Sequence, residues 1–149
     1  MPAFQKCFHI KSRDFIHAGE ASISVQNMLK QLGIDPAVIR RAAICGYEGE
    51  MNVVMHGGDG QFCIEVNTDQ IVLDISDNGP GIENIAKAME KGFSTASDEY
   101  REMGFGAGMG LPNMNAHSDD MEIESRQNNG VRVRMYFTIH PAAGAQKTG

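Results

Sequence analysis

Glu48 and Asn52 stand four positions apart in Tyr47-Glu48-Gly49-Glu50-Met51-Asn52. On a helix that spacing puts a carboxylate and an amide on one face, with Cβ atoms about 5–6 Å apart. Further on, Leu73-Asp74-Ile75-Ser76-Asp77-Asn78-Gly79-Pro80-Gly81-Ile82 runs from strand-like residues into a sharp turn signal, so a strand delivers Asp77 to a loop. A carboxylate there, followed by two glycines that let backbone approach a ligand closely, suits a site that accepts hydrogen bonds from a planar amine. A second glycine-rich run, Gly104-Phe105-Gly106-Ala107-Gly108-Met109-Gly110-Leu111, precedes a short helical pattern. Backbone N–H groups at such a glycine-rich helix start can hold phosphates. Each feature alone has a plainer reading: a left-handed turn, a solvated Glu, a capping Asn, a flexible linker.

Other nucleotide signatures fail. A G-x-G-x-x-G fingerprint started at Gly104 ends on Met109, and started at Gly106 it ends on Leu111. There is no Gly-Lys-[Ser/Thr] for a P-loop, and neither His-Arg-Asp nor Asp-Phe-Gly of the eukaryotic-type kinases.

In this order and spacing the three boxes, spread across Ala42 to Ile139, resemble the ATP-binding fold shared by gyrase, the heat-shock chaperone of that superfamily, histidine kinases and mismatch-repair ATPases. The resemblance implies roles residue by residue. Glu48 is the general base, and Asn52 offers its carbonyl oxygen to Mg²⁺. Asp77 accepts a hydrogen bond from the adenine amino group, with Gly79, Gly81 and Ile82 on the same loop. Gly106, Gly108, Gly110 and Leu111 lie on the phosphate side, with Thr95 in the lid. ATP or ADP and Mg²⁺ are the implied ligands. ATP is expected over GTP, because guanine turns an acceptor toward the carboxylate where adenine turns a donor.

Within that superfamily the chain looks like the bacterial anti-sigma-factor and switch-protein serine kinases. Lys91-Gly92-Phe93-Ser94-Thr95 resembles their lid, and Gly110-Leu111-Pro112-Asn113-Met114 the switch-kinase subgroup. Ahead of Pro36 there is room for one strand and one helix, too little for a dimerisation hairpin carrying an acceptor His. The resemblance implies transfer of the ATP γ-phosphate to a Ser or Thr of an antagonist of the anti-anti-sigma fold. A nucleotide-dependent binding switch with little catalysis is the alternative. A sigma factor and a second copy of the chain stay open as further partners.

Length and composition set the frame. At 149 residues, with 42% hydrophobic and 21% charged residues, the chain suits one domain over 1–140 with a disordered tail over 141–149. A net charge of −6 and the lack of a basic stripe argue against nucleic acid as a partner. No apolar run approaches the roughly 20 residues that span a bilayer, and the start has no signal-peptide core, so the expected location is cytoplasmic. Cys7, Cys45 and Cys63 are odd in number and far apart, which reads as three reduced, mostly structural thiols.

The elements that must position the boxes follow from period and punctuation. Phe4 to Ile10 reads as a strand. Phe15, Ala18, Ala21, Val25, Met28, Leu29 and Leu32 have helical spacing from about Asp14 to the stop at Gly33. Asp35-Pro36 starts a long helix to His56 that carries Glu48 and Asn52. Gly46 and Gly49 inside it each lower helix propensity by about 1 kcal/mol, so close packing should explain them. Glu50 points away from the Glu48 face and is expected in solvent, and His56 is expected to favour the helix dipole as its end residue. Met51, Met55, Met109 and Met114 read as adaptable core. Gln61 to Asn67 and Gln70 to Asp77 read as a hairpin around Thr68-Asp69, Glu83 to Lys91 and Leu111 to His117 as short helices, and 92–110 as a lid. Asp120 to Arg126 and Val131 to Ile139 read as a second hairpin around Gln127-Asn128-Asn129-Gly130. The fold class expected is α+β: a two-layer sandwich with helices on one face of a mixed, mostly antiparallel sheet.

Overall fold

The computed structural model describes residues 4–56, 58–81, 89, 110–125 and 130–139. The expected helix over 83–91 apart from Met89, most of the lid, residues 126–129 of the expected second hairpin, and the tail lie outside them. Five strands form one sheet in the order β1-β2-β3-β5-β4: β1 Phe4–Ile10, β2 Gly60–Val66, β3 Gln70–Asp77, β4 Asp120–Ser125 and β5 Val131–Thr138. Every described ladder is antiparallel. Three helices, α1 Glu20–Gln31, α2 Pro36–His56 and α3 Gly110–His117, complete the described elements. This is the α+β sandwich expected.

Strand alternation decides which face the helices cover. Phe62, Ile64 and Val66 of β2, Ile71, Leu73 and Ile75 of β3, and Val133, Met135 and Phe137 of β5 are buried in one cluster with Val25 and Leu29 of α1 and Val38, Ala42, Cys45 and Val53 of α2. Phe62 and Phe137 are fully buried, and each such aromatic contributes about 1.5–3 kcal/mol relative to exposure. The opposite face is polar. Asp74 of β3 accepts from Arg132 Nη2 at 2.6 Å and Nε at 3.1 Å, and Tyr136 donates to Glu122 across the β4–β5 pair.

The β2–β3 hairpin turns as expected, because Asn67 Oδ1 accepts the N–H groups of both Asp69 and Gln70 at 2.8 Å. Three expectations need correction. First, α1 begins at Glu20 and not near Asp14: Gly19 is left-handed at φ 96° and breaks the helical run. Phe15 and Ala18 still pack on the core from the preceding turns, which is why their spacing mimicked a helix.

Second, Glu50 is 3% exposed and is not solvated. Its carboxylate accepts the N–H groups of Gly19 (2.9 Å), Ala21 (3.3 Å) and Ser22 (2.9 Å) and the Ser22 hydroxyl (2.6 Å). A side chain of α2 therefore caps α1, whose own N-cap glycine has nothing to offer. Third, Cys7 and Cys63 are joined in a disulfide, and only Cys45 is a free, buried thiol. Their separation of 56 residues hides the register that sets Cys7 opposite Cys63.

Gly46 and Gly49 have the packing reason anticipated. A Cβ on Gly46 would stand 2.9 Å from Phe62 Cζ, and one on Gly49 would stand 2.4 Å from Ile75 Cδ1. The long helix thus lies on β2 and β3 more closely than a side chain at either position permits.

Candidate functional site

Because α2 is pressed onto the sheet at Gly46 and Gly49, its other side presents Glu48 and Asn52 toward the start of α3. A Cβ built on Gly110 would lie 3.3 Å from Asn52 Oδ1, 3.4 Å from Asn52 Nδ2 and 3.5 Å from Glu48 Oε2. The Glu/Asn box and the last glycine of the second run, distant in sequence, are therefore neighbours. Leu111 and Met114 bury the inner side of α3; Met114 also packs near Gly49. Met51 and Met55 are core as well, whereas Met109 lies outside the described residues.

Glu48 is half-buried. Burial pushes its carboxyl above the usual carboxylate range, opposed by a hydrogen bond from the Asn113 side chain. A carboxyl so raised and held is a better proton acceptor when ionised than a solvated one. Nothing in Gly110-Leu111-Pro112-Asn113-Met114 marks Asn113 for a role; its place one turn into α3 makes it the side-chain partner of Glu48.

Asp77 ends β3, as the strand pattern predicts. Its carboxylate accepts the Gly79 N–H at 2.8 Å. Burial raises its pKa, and backbone hydrogen bonds from Gly79 and Val131 pull the other way. The loop is pinned from two sides. Asn78 N–H donates to Asp59 O at 3.1 Å, and Gly130, at φ +83°, comes so close that a Cβ there would overlap Asp77 O. In the sequence Gly130 reads only as part of a hairpin turn. Glycine in Asn-Asn-Gly is ordinary turn chemistry, and only the β3–β5 pairing brings it against Asp77. Gly60 pairs with Asp77 across β2–β3 and packs on Val53, so the loop and the residue beside Asn52 share one support.

Gly81 is left-handed at φ 85°, consistent with the turn expected of Asp-x-Gly-x-Gly. Ile82, Thr95, Gly106 and Gly108 fall outside the described residues. His56 stands in the last turn of α2, as expected; burial, then the nearby Arg13 charge, lowers its pKa. Among the described residues no group of three His, Cys, Asp or Glu side chains could hold a metal by itself, and no helix is long and apolar enough to cross a membrane.

The chain is similar to several known proteins. An anti-sigma F factor of Clostridium botulinum (strain Eklund 17B / Type B) is 33% identical over 123 residues, covering 77% of this chain and 81% of the relative. One from Thermoanaerobacter sp. (strain X514) is 34% identical over 93 residues, 59% of this chain, and the match spans 62% of that relative's length. The serine/threonine-protein kinase RsbT of Bacillus subtilis (strain 168) is 29% identical over 135 residues, 87% of this chain and 93% of its own. A chain from the crystal structure of the SiaB-SiaC complex from Pseudomonas aeruginosa superposes with a TM-score of 0.62 at 14% identity, covering 89% of this chain and 88% of that one, a likeness of fold. Residues 47–141, which include all three boxes, match the histidine kinase-, DNA gyrase B-, and HSP90-like ATPase family, and the chain belongs to that family.

Proposed function

We propose that this protein binds Mg·ATP and transfers the γ-phosphate to a Ser or Thr hydroxyl of a small antagonist protein of the anti-anti-sigma type. The observation that carries the reading is the grouping of Glu48, Asn52 and Gly110, with burial raising the Glu48 carboxyl. The names of the similar proteins, anti-sigma F factor and a serine/threonine-protein kinase, support the same direction.

Each residue has a physical task. The Asp77 oxygen not engaged by Gly79 accepts from the adenine amino group. Backbone N–H groups at the start of α3, from Gly110 and Leu111, lie where a helix N-terminus favours phosphate oxygens; Gly106 and Gly108 are assigned to the same phosphates on their motif alone, as Ile82 and Thr95 are to the base loop and lid. The donor set fits Mg²⁺: one amide oxygen, Asn52 Oδ1, with no carboxylate cage among the described residues, suits a cation that keeps waters and phosphate oxygens around it. When bound, Mg²⁺ supplies charge neutralisation on the phosphates. Glu48 accepts the proton of the attacking hydroxyl as that oxygen bonds to the γ-phosphorus and the bond to the bridging oxygen breaks, releasing ADP.

Labelled ATP, the full chain and a candidate antagonist of that type test the reading. Wild type should label the antagonist. Glu48→Gln should slow transfer by about 10²–10⁴ while leaving ATP affinity nearly unchanged. Binding of both ATP and antagonist without any labelling would make the protein a nucleotide-dependent switch and overturn the kinase reading.

A further inference from the structure

We infer that Cys7 and Cys63 form a reversible dithiol/disulfide modification site that holds the edge strand β1, and through it the end of the sheet that carries the Asp77 loop. Three observations meet here. The two cysteines face each other across the β1–β2 ladder and are bonded. They lie on the face of the sheet away from the helices, with Cys7 exposed and Cys63 half-buried, so a small thiol can reach them. Cys45 is fully buried, and burial pushes its thiol up to about 12, which leaves it inert by contrast.

The position of β1 gives the bond its consequence. Among the described residues β1 is the edge of the sheet and pairs with β2 alone. The disulfide closes a loop that contains α1 and α2, hence Glu48 and Asn52. At the far end of β1 one row runs through Ile10, Gly60 and Asp77. Just beyond it, Ser12 N–H donates to Asp59 Oδ1 at 2.9 Å and Arg13 N–H to Val54 O at 2.9 Å. Asp59 O in turn accepts the Asn78 N–H beside Asp77. The segment that leaves β1 thus touches the same Asp59 that pins the nucleotide loop.

The chemistry is thiol–disulfide exchange with a low-molecular-weight thiol. A thiolate attacks one protein sulfur to form a mixed disulfide, and the other protein sulfur leaves and takes a proton; a second small thiolate then attacks the sulfur of the first, so that the remaining protein sulfur leaves as a thiol and the small disulfide is released. Two electrons pass from the small thiols to the protein pair, and oxidised small thiol reverses the step.

The test equilibrates the full chain in buffers of reduced and oxidised glutathione. Native alkylation and mass mapping then read each thiol, and amide hydrogen exchange reads the backbone. Cys7 and Cys63 should convert together and reversibly, with Cys45 unlabelled until the chain is denatured. On reduction the amides of Ser12, Arg13 and Asn78 should exchange roughly tenfold faster, as local opening of a released edge requires. Cys7→Ser should show the fast pattern in every buffer. A pair that stays as thiols at every ratio, or exchange equal in both states, overturns the inference. A weaker ADP affinity in the reduced state is also expected. That arm alone rests on the proposed nucleotide site: if neither state binds ADP, that reading fails, while the exchange data still decide the cysteine pair.

Discussion

The carboxylate of Glu50 on α2 and Ser22 on α1 share two hydrogen bonds, from the Ser22 N–H and from its hydroxyl, inside a protein that is otherwise apolar there. Two further N–H groups, of Gly19 and Ala21, point at the same carboxylate. Glu50 lies two positions beyond Glu48 and two before Asn52, so the residue that anchors α1 is built between those assigned to chemistry. Replacing Glu50 by Ala strands buried donors and should cost about 2–4 kcal/mol, and Ser22→Ala, which removes one bond to a charged acceptor, about 1.5–3 kcal/mol. Urea unfolding measures both; loss from Glu50→Ala within error of zero would mean that water replaces the cap.

Gly49→Ala should destabilise by about 1–3 kcal/mol, the usual range for overpacking, because its Cβ would meet Ile75 Cδ1 at 2.4 Å. The atom it meets is the tip of one side chain. Ile75→Val removes that tip, so the double variant should be more stable than Gly49→Ala alone, against the expectation from adding two destabilising changes. Additive losses would place the strain elsewhere.

Glu48→Gln should raise the melting temperature near neutral pH. Burial lifts the folded-state pKa of Glu48 above its unfolded value, so the folded state holds the proton more tightly. The stability this brings is full below the unfolded value and is lost as pH rises through the folded one. Glutamine, neutral throughout, avoids that loss. The advantage should vanish in acid, and the same raised pKa should shift the acid limb of the transfer rate upward from the ordinary carboxylate range. A Glu48→Gln advantage independent of pH would rule out the burial account.

Asp77→Asn should erase base selectivity. If one charge-assisted hydrogen bond decides it, wild type should prefer ATP to GTP by about 1.5–3 kcal/mol, and the amide, which can donate as well as accept, should lose most of that margin. Calorimetric titration with both nucleotides checks this, and equal affinities in wild type would remove the role assigned to Asp77.

Gly130→Ala should impair nucleotide binding without touching any nucleotide contact. A side chain at φ +83° is strained, and its Cβ would overlap Asp77 O. A lowered melting temperature together with weaker ATP binding is expected; unchanged affinity would show that the loop moves freely away from β5.

The periodicities that fixed β1, α2 and β3 are local, and so they were readable in the chain: alternation for the strands, and an Asp-Pro start for the long helix. The order of the three boxes was equally local, and it led to the family. What depends on contact between distant segments was not readable. Glu50 is charged and sits opposite Glu48, which on an isolated helix means solvent; only the docking of α1, whose first turn lacks a cap, makes that position a buried anchor. Cys7 and Cys63 looked unrelated because β1 and β2 are neighbours in the sheet and not in sequence, with two helices between them. The closeness of Gly110 to Asn52, and of Gly130 to Asp77, is likewise set by how α3 and β5 return to the sheet. Residue types determined the chemistry on offer; tertiary packing decided which of them meet.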